Sequence, residues 1–161
     1  MLKKNKTEIV VVLDDIRSMH NIGSIFRTCD AIGNCEIYLC GICAQPPNKQ
    51  IYKTALGATE SVKWQYFQNI EDGLNILSTE GYQIIAIEQT ETSIPLNSFY
   101  TNSKKIALIF GNEIKGVSKK ALDIAESCVQ INQYGIKQSM NVSVAAGIVL
   151  WTISHAEKAI S

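Results

Sequence analysis

Six short runs rich in β-branched and aromatic residues punctuate the chain, at residues 9–13, 36–40, 62–67, 82–87, 105–110 and 128–131. Their length and composition predict strands. The first, fourth and fifth are almost continuously apolar, the pattern of strands covered on both faces in a parallel sheet. Between the runs the apolar spacing changes to that of helices. Ile22, Ile25, Phe26, Cys29 and Ile32 form one stripe, with Asn21 placed to cap that helix and Gly33-Asn34 to stop it. A second helix is predicted over 69–80, ended by Gly81, and a last one over about 139–158, where Ala145, Ala146, Gly147 and Ile148 make it small and apolar on several faces. Strand and helix alternate, which predicts an α/β fold: a mostly parallel sheet flanked by helices.

The loop-like stretches are 44–49, containing Pro46-Pro47, and 89–103, containing Pro95. Neither is long enough to separate domains, and no internal repeat or low-complexity segment interrupts the pattern. With 161 residues, 46% of them hydrophobic, the expectation is one domain spanning 1–161 with a substantial core.

Charge narrows the picture. Charged residues make up 19% of the chain and cancel to a formal net charge of zero, which excludes a strongly basic tail and an acidic disordered class. Any nucleic-acid contact must then be local. Arg17 and Arg27 are the two arginines, so each stands out against a lysine background. The apolar run at 9–13 is too short for a signal-peptide core or a bilayer span, so a cytoplasmic chain without membrane anchoring is expected. Five cysteines, an odd number, fit reduced and mostly buried thiols. Cys40 and Cys43 form a Cys-x-x-Cys, but Ala44-Gln45-Pro46-Pro47 follows where a redox motif would open a helix. His20 and His155 have no ligand-spaced partners, so no metal site is expected.

Three segments place polar residues where a predicted strand ends, the usual ligand edge of an open α/β sheet. They run over 14–28, 110–118 and 131–145. Taken singly, Asn21 reads as a cap, Gly111 and Gly116 as turn residues, and Ser139 and Asn141 as the cap of the last helix.

Taken together and in order, the three segments resemble the three motifs of the SpoU/TrmH-type RNA ribose 2′-O-methyltransferases of the SPOUT class. Asn21, Gly23 and Arg27 match the first motif, Gly111, Glu113 and Gly116 the second, and Gly135, Ser139, Asn141 and Ala145 the third. The resemblance covers nearly the whole chain. It implies a C-terminal trefoil knot, bound S-adenosyl-L-methionine, and a homodimer acting on the ribose 2′-hydroxyl of tRNA or rRNA without an appended RNA-binding domain. Its cofactor-binding residues would be Ile87, Glu88, Gly111, Gly116, Ile131, Ser139 and Met140, and its catalytic set Arg27, Asn21, Glu113, Ser139 and Asn141. One departure is plain: the third motif usually opens Ile-Pro-Met, and here reads Ile131-Asn132-Gln133.

By this resemblance Arg27 is the leading catalytic residue. A guanidinium stays protonated in proteins, so its expected part is to bind the adjacent phosphate and stabilise the developing alkoxide. Asn21 and Glu113 would hold that arginine and the dimer edge in register, with Ser139 and Asn141 shaping the pocket and orienting the sugar. In a dimer, Lys49, Lys53 and Lys137 could join the pairs Lys104-Lys105 and Lys119-Lys120 along an RNA track, although solvated surface is the ordinary reading of such lysines. The alternative is a knotted RNA-binding or assembly module with impaired catalysis, motivated by the Asn132-Gln133 departure.

Overall fold

A computed structural model describes residues 7–156. Seven strands form one sheet: β1 (Glu8–Asp14), β2 (Cys35–Cys40), β3 (Lys63–Phe67), β4 (Gln83–Ile87), β5 (Ile94–Pro95), β6 (Lys105–Phe110) and β7 (Ser127–Gln130). Their order is β3-β2-β1-β6-β4-β7-β5, with every pair parallel. Six helices accompany them: α1 (Met19–Ile32), α2 (Lys49–Ala55), α3 (Ala58–Ser61), α4 (Ile70–Thr79), α5 (Lys119–Ile124) and α6 (Val142–His155).

The period of two along β1 divides the core. Ile9, Val11 and Leu13 join one apolar cluster with Ile22, Ile25 and Phe26 of α1 and Ala146, Val149 and Leu150 of α6. Val10 and Val12 join the other with Leu74 and Leu77 of α4 and Ala121 of α5. Strands 1, 4 and 6 are therefore covered on both faces, which is why they read as unbroken apolar runs.

Several elements differ from the sequence expectation. The first helix starts at Met19, and its cap is Ser18, whose hydroxyl accepts the Asn21 N–H at 3.2 Å. Asn21 thus lies inside the first turn with its side chain released from capping. The last helix begins at Val142 behind the cap Asn141, while Lys158 lies outside the described residues. The pattern also missed α2, α3 and α5. Helix α2 buries only Ile51 and Ala55, too few positions to show a period. Strand β5 is a two-residue edge strand ending in proline, tolerated there because an edge leaves one N–H side unpaired.

Candidate functional site

The site lies at the carboxyl ends of β4, β6 and β7, where the segment after each strand turns out of the sheet. After β6 the chain doubles back: the Asn112 N–H donates to the Gly116 carbonyl at 3.0 Å, and the Gly116 N–H returns to the Asn112 carbonyl at 2.9 Å. The Asn112 side-chain oxygen accepts from the N–H groups of Ile114 and Lys115, closing the turn. Gly116 has φ +72°, and a Cβ on Gly111 would fall 2.1 Å from Gly116 C and Val117 N. Glycine at 111 is therefore a requirement of close backbone approach.

Glu88 pins this turn to the end of β4. Its carboxylate accepts from the Gln89 N–H and the Val117 N–H, each at 2.9 Å. The end of β1 and the loop after it are fastened to the same turn by four hydrogen bonds. Asn112 donates its amide to the Asp15 carbonyl at 2.6 Å, and the Ser118 N–H donates to Asp14 Oδ2 at 2.7 Å. Glu113 accepts from the backbone N–H groups of Arg17 and Ser18 at 3.2 and 3.1 Å.

Two carboxyls titrate in opposite directions here. Burial pushes Asp14 up, outweighing the Ser118 hydrogen bonds, with Asp15 and Glu71 adding repulsion. Burial also acts to raise Glu113, but the N–H groups of Glu113, Ser18 and Arg17 and the Asn21 side chain outweigh it and hold its carboxyl below the usual range.

Asn21 then links the third segment. Its side-chain oxygen accepts from the Asn141 amide at 3.2 Å, while its own amide serves Glu113. Asn141 caps α6 by accepting from the N–H groups of Ser143 and Val144. A cavity of about 460 Å³ opens beside this chain of contacts. Ile87, Glu88, Gly111, Gly116, Ile131, Ser139 and Met140 all lie on its wall, as does Glu113. Phe110, Val117, Leu122 and Val142 give it apolar patches, while Gln133 and Gln138 add carboxamides.

Asn21, Asn141 and Arg27 are not on that wall. Arg27 is exposed on α1, with no hydrogen bond or ion pair among the described residues, roughly 9 Å along the helix axis from Asn21. Asn112, Asp14 and the glutamines of the third segment were missed as site residues. An Asn beside Gly at a strand end is a turn signal that could have flagged Asn112.

Other candidates resolve differently. Burial pushes the Cys43 thiol up to about 11 and raises Cys40 as well, and Cys43 accepts the Ile16 N–H at 3.2 Å, so the pair packs as neutral thiols. Lys119 pairs with Asp123 at 2.9 Å, Lys120 with Glu71 at 3.5 Å, and Lys105 donates to the Glu80 carbonyl, which removes these three from any open lysine track. No described group of three or more His, Cys, Asp or Glu could hold a metal ion, and no described helix is long and apolar enough to cross a membrane.

A parallel α/β sheet whose strand ends converge on a glycine-walled cavity defines the class of the protein, and comparison with known proteins defines it further. Residues 8–151 match the SpoU rRNA Methylase family, and the chain belongs to it. It is 34% identical over 156 residues to a tRNA (guanosine(18)-2′-O)-methyltransferase of Aquifex aeolicus, covering 94% of this chain and 71% of that one. Among solved structures it resembles the A. aeolicus TrmH/SpoU tRNA modifying enzyme, with TM-score 0.83, 30% identity, and 98% and 80% of the two chains covered. It also resembles an AdoMet-bound rRNA methyltransferase from Sinorhizobium meliloti, with TM-score 0.87, 27% identity, and 97% and 59% covered.

Proposed function

We propose that this chain transfers a methyl group from S-adenosyl-L-methionine to a ribose 2′-hydroxyl of tRNA or rRNA. The observation that carries the reading is the convergence of three distant segments, through Asn141, Asn21 and Glu113, beside a cavity whose wall at Gly111 admits no side chain. At about 460 Å³ with mixed apolar and amide lining, that cavity has the size and character of a small-molecule cofactor site. Family membership and the AdoMet-bound relative agree with this ligand.

The cofactor supplies an electrophilic methyl on a sulfonium that departs as a neutral thioether. The protein's share is alignment and stabilisation of the attacking oxygen. Ile87, Glu88, Gly111, Gly116, Ile131, Ser139 and Met140 would hold the donor. Arg27 would bind the phosphate next to the target ribose and stabilise the developing alkoxide, the proton passing to phosphate or water. Asn21 and Glu113 keep the first and second segments in register, and Ser139 and Asn141 orient the sugar.

Arg27 is exposed and lies off the cavity wall of its own chain, which supports a homodimer in which the arginine of one protomer completes the site of the other. Val144, Ile148 and Trp151 of α6, at 52%, 38% and 62% exposure, form an apolar stripe at i, i+4 and i+7 suited to that contact.

The finer fold reading is a C-terminal trefoil knot. Its support is that Ile87 and Ile94 both pair with Val129 from opposite sides, so the link between β4 and β5 bridges β7 at the end from which the chain continues. A single domain working in the cytoplasm completes the reading.

The test is isothermal titration of the chain with S-adenosyl-L-methionine, joined to mass spectrometry of RNA nucleosides from cells lacking the gene. Measurable binding and the loss of one 2′-O-methyl mark are expected. Absence of heat in several buffers, with an unchanged nucleoside profile, would leave the impaired module in its place.

A further inference from the structure

One face of the molecule departs from its balanced charge. Residues 16–29 and 42–59 carry Arg17, Arg27, Lys49, Lys53 and His20 and no Asp or Glu, with Asp15, Asp30 and Glu60 at their borders, although the whole chain has 15 basic and 15 acidic residues. The fold packs the two stretches together. Thr54 Oγ1 donates to the His20 carbonyl at 2.8 Å, and the His20 ring lies 2.9 Å from Gln50 Oε1. Gly23 seats α2 against α1 so closely that a Cβ there would meet the Ile51 carbonyl at 2.3 Å.

Helix α2 turns Ile51 and Ala55 inward, which leaves Lys49, Tyr52, Lys53 and Leu56 outward at helical spacing. Tyr52 is 40% exposed between the two lysines. The side chains of Arg17, Arg27, Lys49, Tyr52 and Lys53 have no hydrogen bond or ion pair among the described residues, unlike Lys119 and Lys120, which acidic neighbours neutralise. Glu113 and Asp30 lie close to Arg17 and Arg27 in contact or in sequence, whereas α2 carries Lys49 and Lys53 and no acidic residue, so those two cations sum into a local positive potential. An open aromatic ring flanked by such cations is how proteins hold unpaired nucleic acid, with phosphates on the cations and a base on the ring.

We infer that the α1–α2 face docks an unpaired stretch of the substrate RNA, with Tyr52 stacking on a base and Lys49 and Lys53 holding its phosphates. The inference rests on the RNA methyl-transfer reading and adds a binding surface outside the cavity. It is continuous with the proposed site, because α1 carries both Asn21 and Arg27. An acidic protein segment would satisfy the lysines but make no use of the ring's flat face.

The experiment is fluorescence anisotropy of the full chain with a labelled oligouridylate and with bulk tRNA, between about 50 and 200 mM salt. Tyr52→Ala should weaken oligouridylate binding roughly tenfold, and Tyr52→Phe should keep the parent affinity because it keeps the ring. Lys49→Gln with Lys53→Gln should reduce the slope of log affinity against log salt by about 1.4. Titration with S-adenosyl-L-methionine should be unchanged in all these variants. Equal affinity in Tyr52→Ala, an equal loss in Tyr52→Phe, or an unmoved salt slope would overturn the docking surface. So would a shift of oligomeric state in sedimentation, which would assign the face to a protein contact. Failure of the parent chain to bind S-adenosyl-L-methionine would instead count against the proposed function, whatever the anisotropy gives.

Discussion

The side-chain amide of Asn141 donates to the side-chain oxygen of Asn21 at 3.2 Å, joining residues 120 positions apart. Asn21 passes the connection to Glu113, and Glu113 accepts the backbone N–H groups of Arg17 and Ser18. One polar chain thus sets the start of α6, the first turn of α1 and the turn after β6 in fixed relation.

Asn141 serves both as a helix cap and as a donor, and two substitutions separate these parts. Asn141→Asp keeps the acceptor for Ser143 and Val144 and should hold stability within about 0.5 kcal/mol, since a carboxylate suits a helix start. It loses the donor to Asn21 and should lower kcat. Asn141→Ala removes both and should cost about 1 kcal/mol in addition. Denaturant unfolding beside methyl-transfer kinetics distinguishes the two, and equal kcat in wild type and Asn141→Asp would deny the link a role.

Arg27→Ala should reduce methyl transfer by about 10²-fold or more and leave S-adenosyl-L-methionine affinity nearly unchanged, because Arg27 lies off the cavity wall. Mixed dimers of Arg27→Ala with Gly111→Ala chains should recover activity if the arginine is supplied across the dimer. Recovery to no more than the level of either homodimer would show that each chain uses its own.

Gly111→Ala forces a methyl into the backbone of Gly116 and Val117. Backbone cannot step aside as a flexible side chain can, so a loss of about 1–3 kcal/mol is expected, together with weaker binding in the cavity. Calorimetry and ligand titration on the one variant measure both.

The pH response should carry two opposed contributions. Glu113 titrates below its ordinary 4.5, so its hydrogen-bonded anion adds stability that is complete above that value and disappears as pH falls through the lower folded value. Glu113→Gln should therefore be less stable than wild type at neutral pH, with the gap closing in acid. Asp14 titrates above its ordinary 3.8, so its contribution is present below 3.8 and lost as pH rises through the raised value. Asp14→Asn keeps an acceptor for Ser118 and should gain melting temperature at neutral pH but not in acid. Parallel melting curves across this range would contradict both assignments.

Much of the fold was readable because burial on both faces writes itself into composition. The run at 105–110 coincides with β6, and those at 9–13 and 36–40 fall one residue or less short of the ends of β1 and β2. Elements held by tertiary contact left no such trace. Helix α2 depends on Gly23 beneath it, and β5 depends on β7 alongside. Residues of the cavity wall could be named by resemblance to a family, whereas the hydrogen bonds that tie Asp15, Arg17 and Ser18 to the turn after β6 span 95 to 97 residues and have no local signature. Asn21 shows the limit best. Its type suggested a cap, but Ser18 three residues earlier takes that task.

The exposed stripe on α6 yields a last expectation. Ile148→Glu should turn a dimer into a monomer at micromolar concentration in sedimentation and abolish methyl transfer with it. Full activity in a monomer would remove the shared site.

Because Gly111 and Gly116 press main chain against main chain, this side of the pocket is a mould cast from peptide groups, which every sequence possesses. Its contour does not depend on which side chains stand at Asn132 and Gln133. Substitution at Gln133, which lines another part of the wall, would alter the grip while leaving this backbone surface as it is.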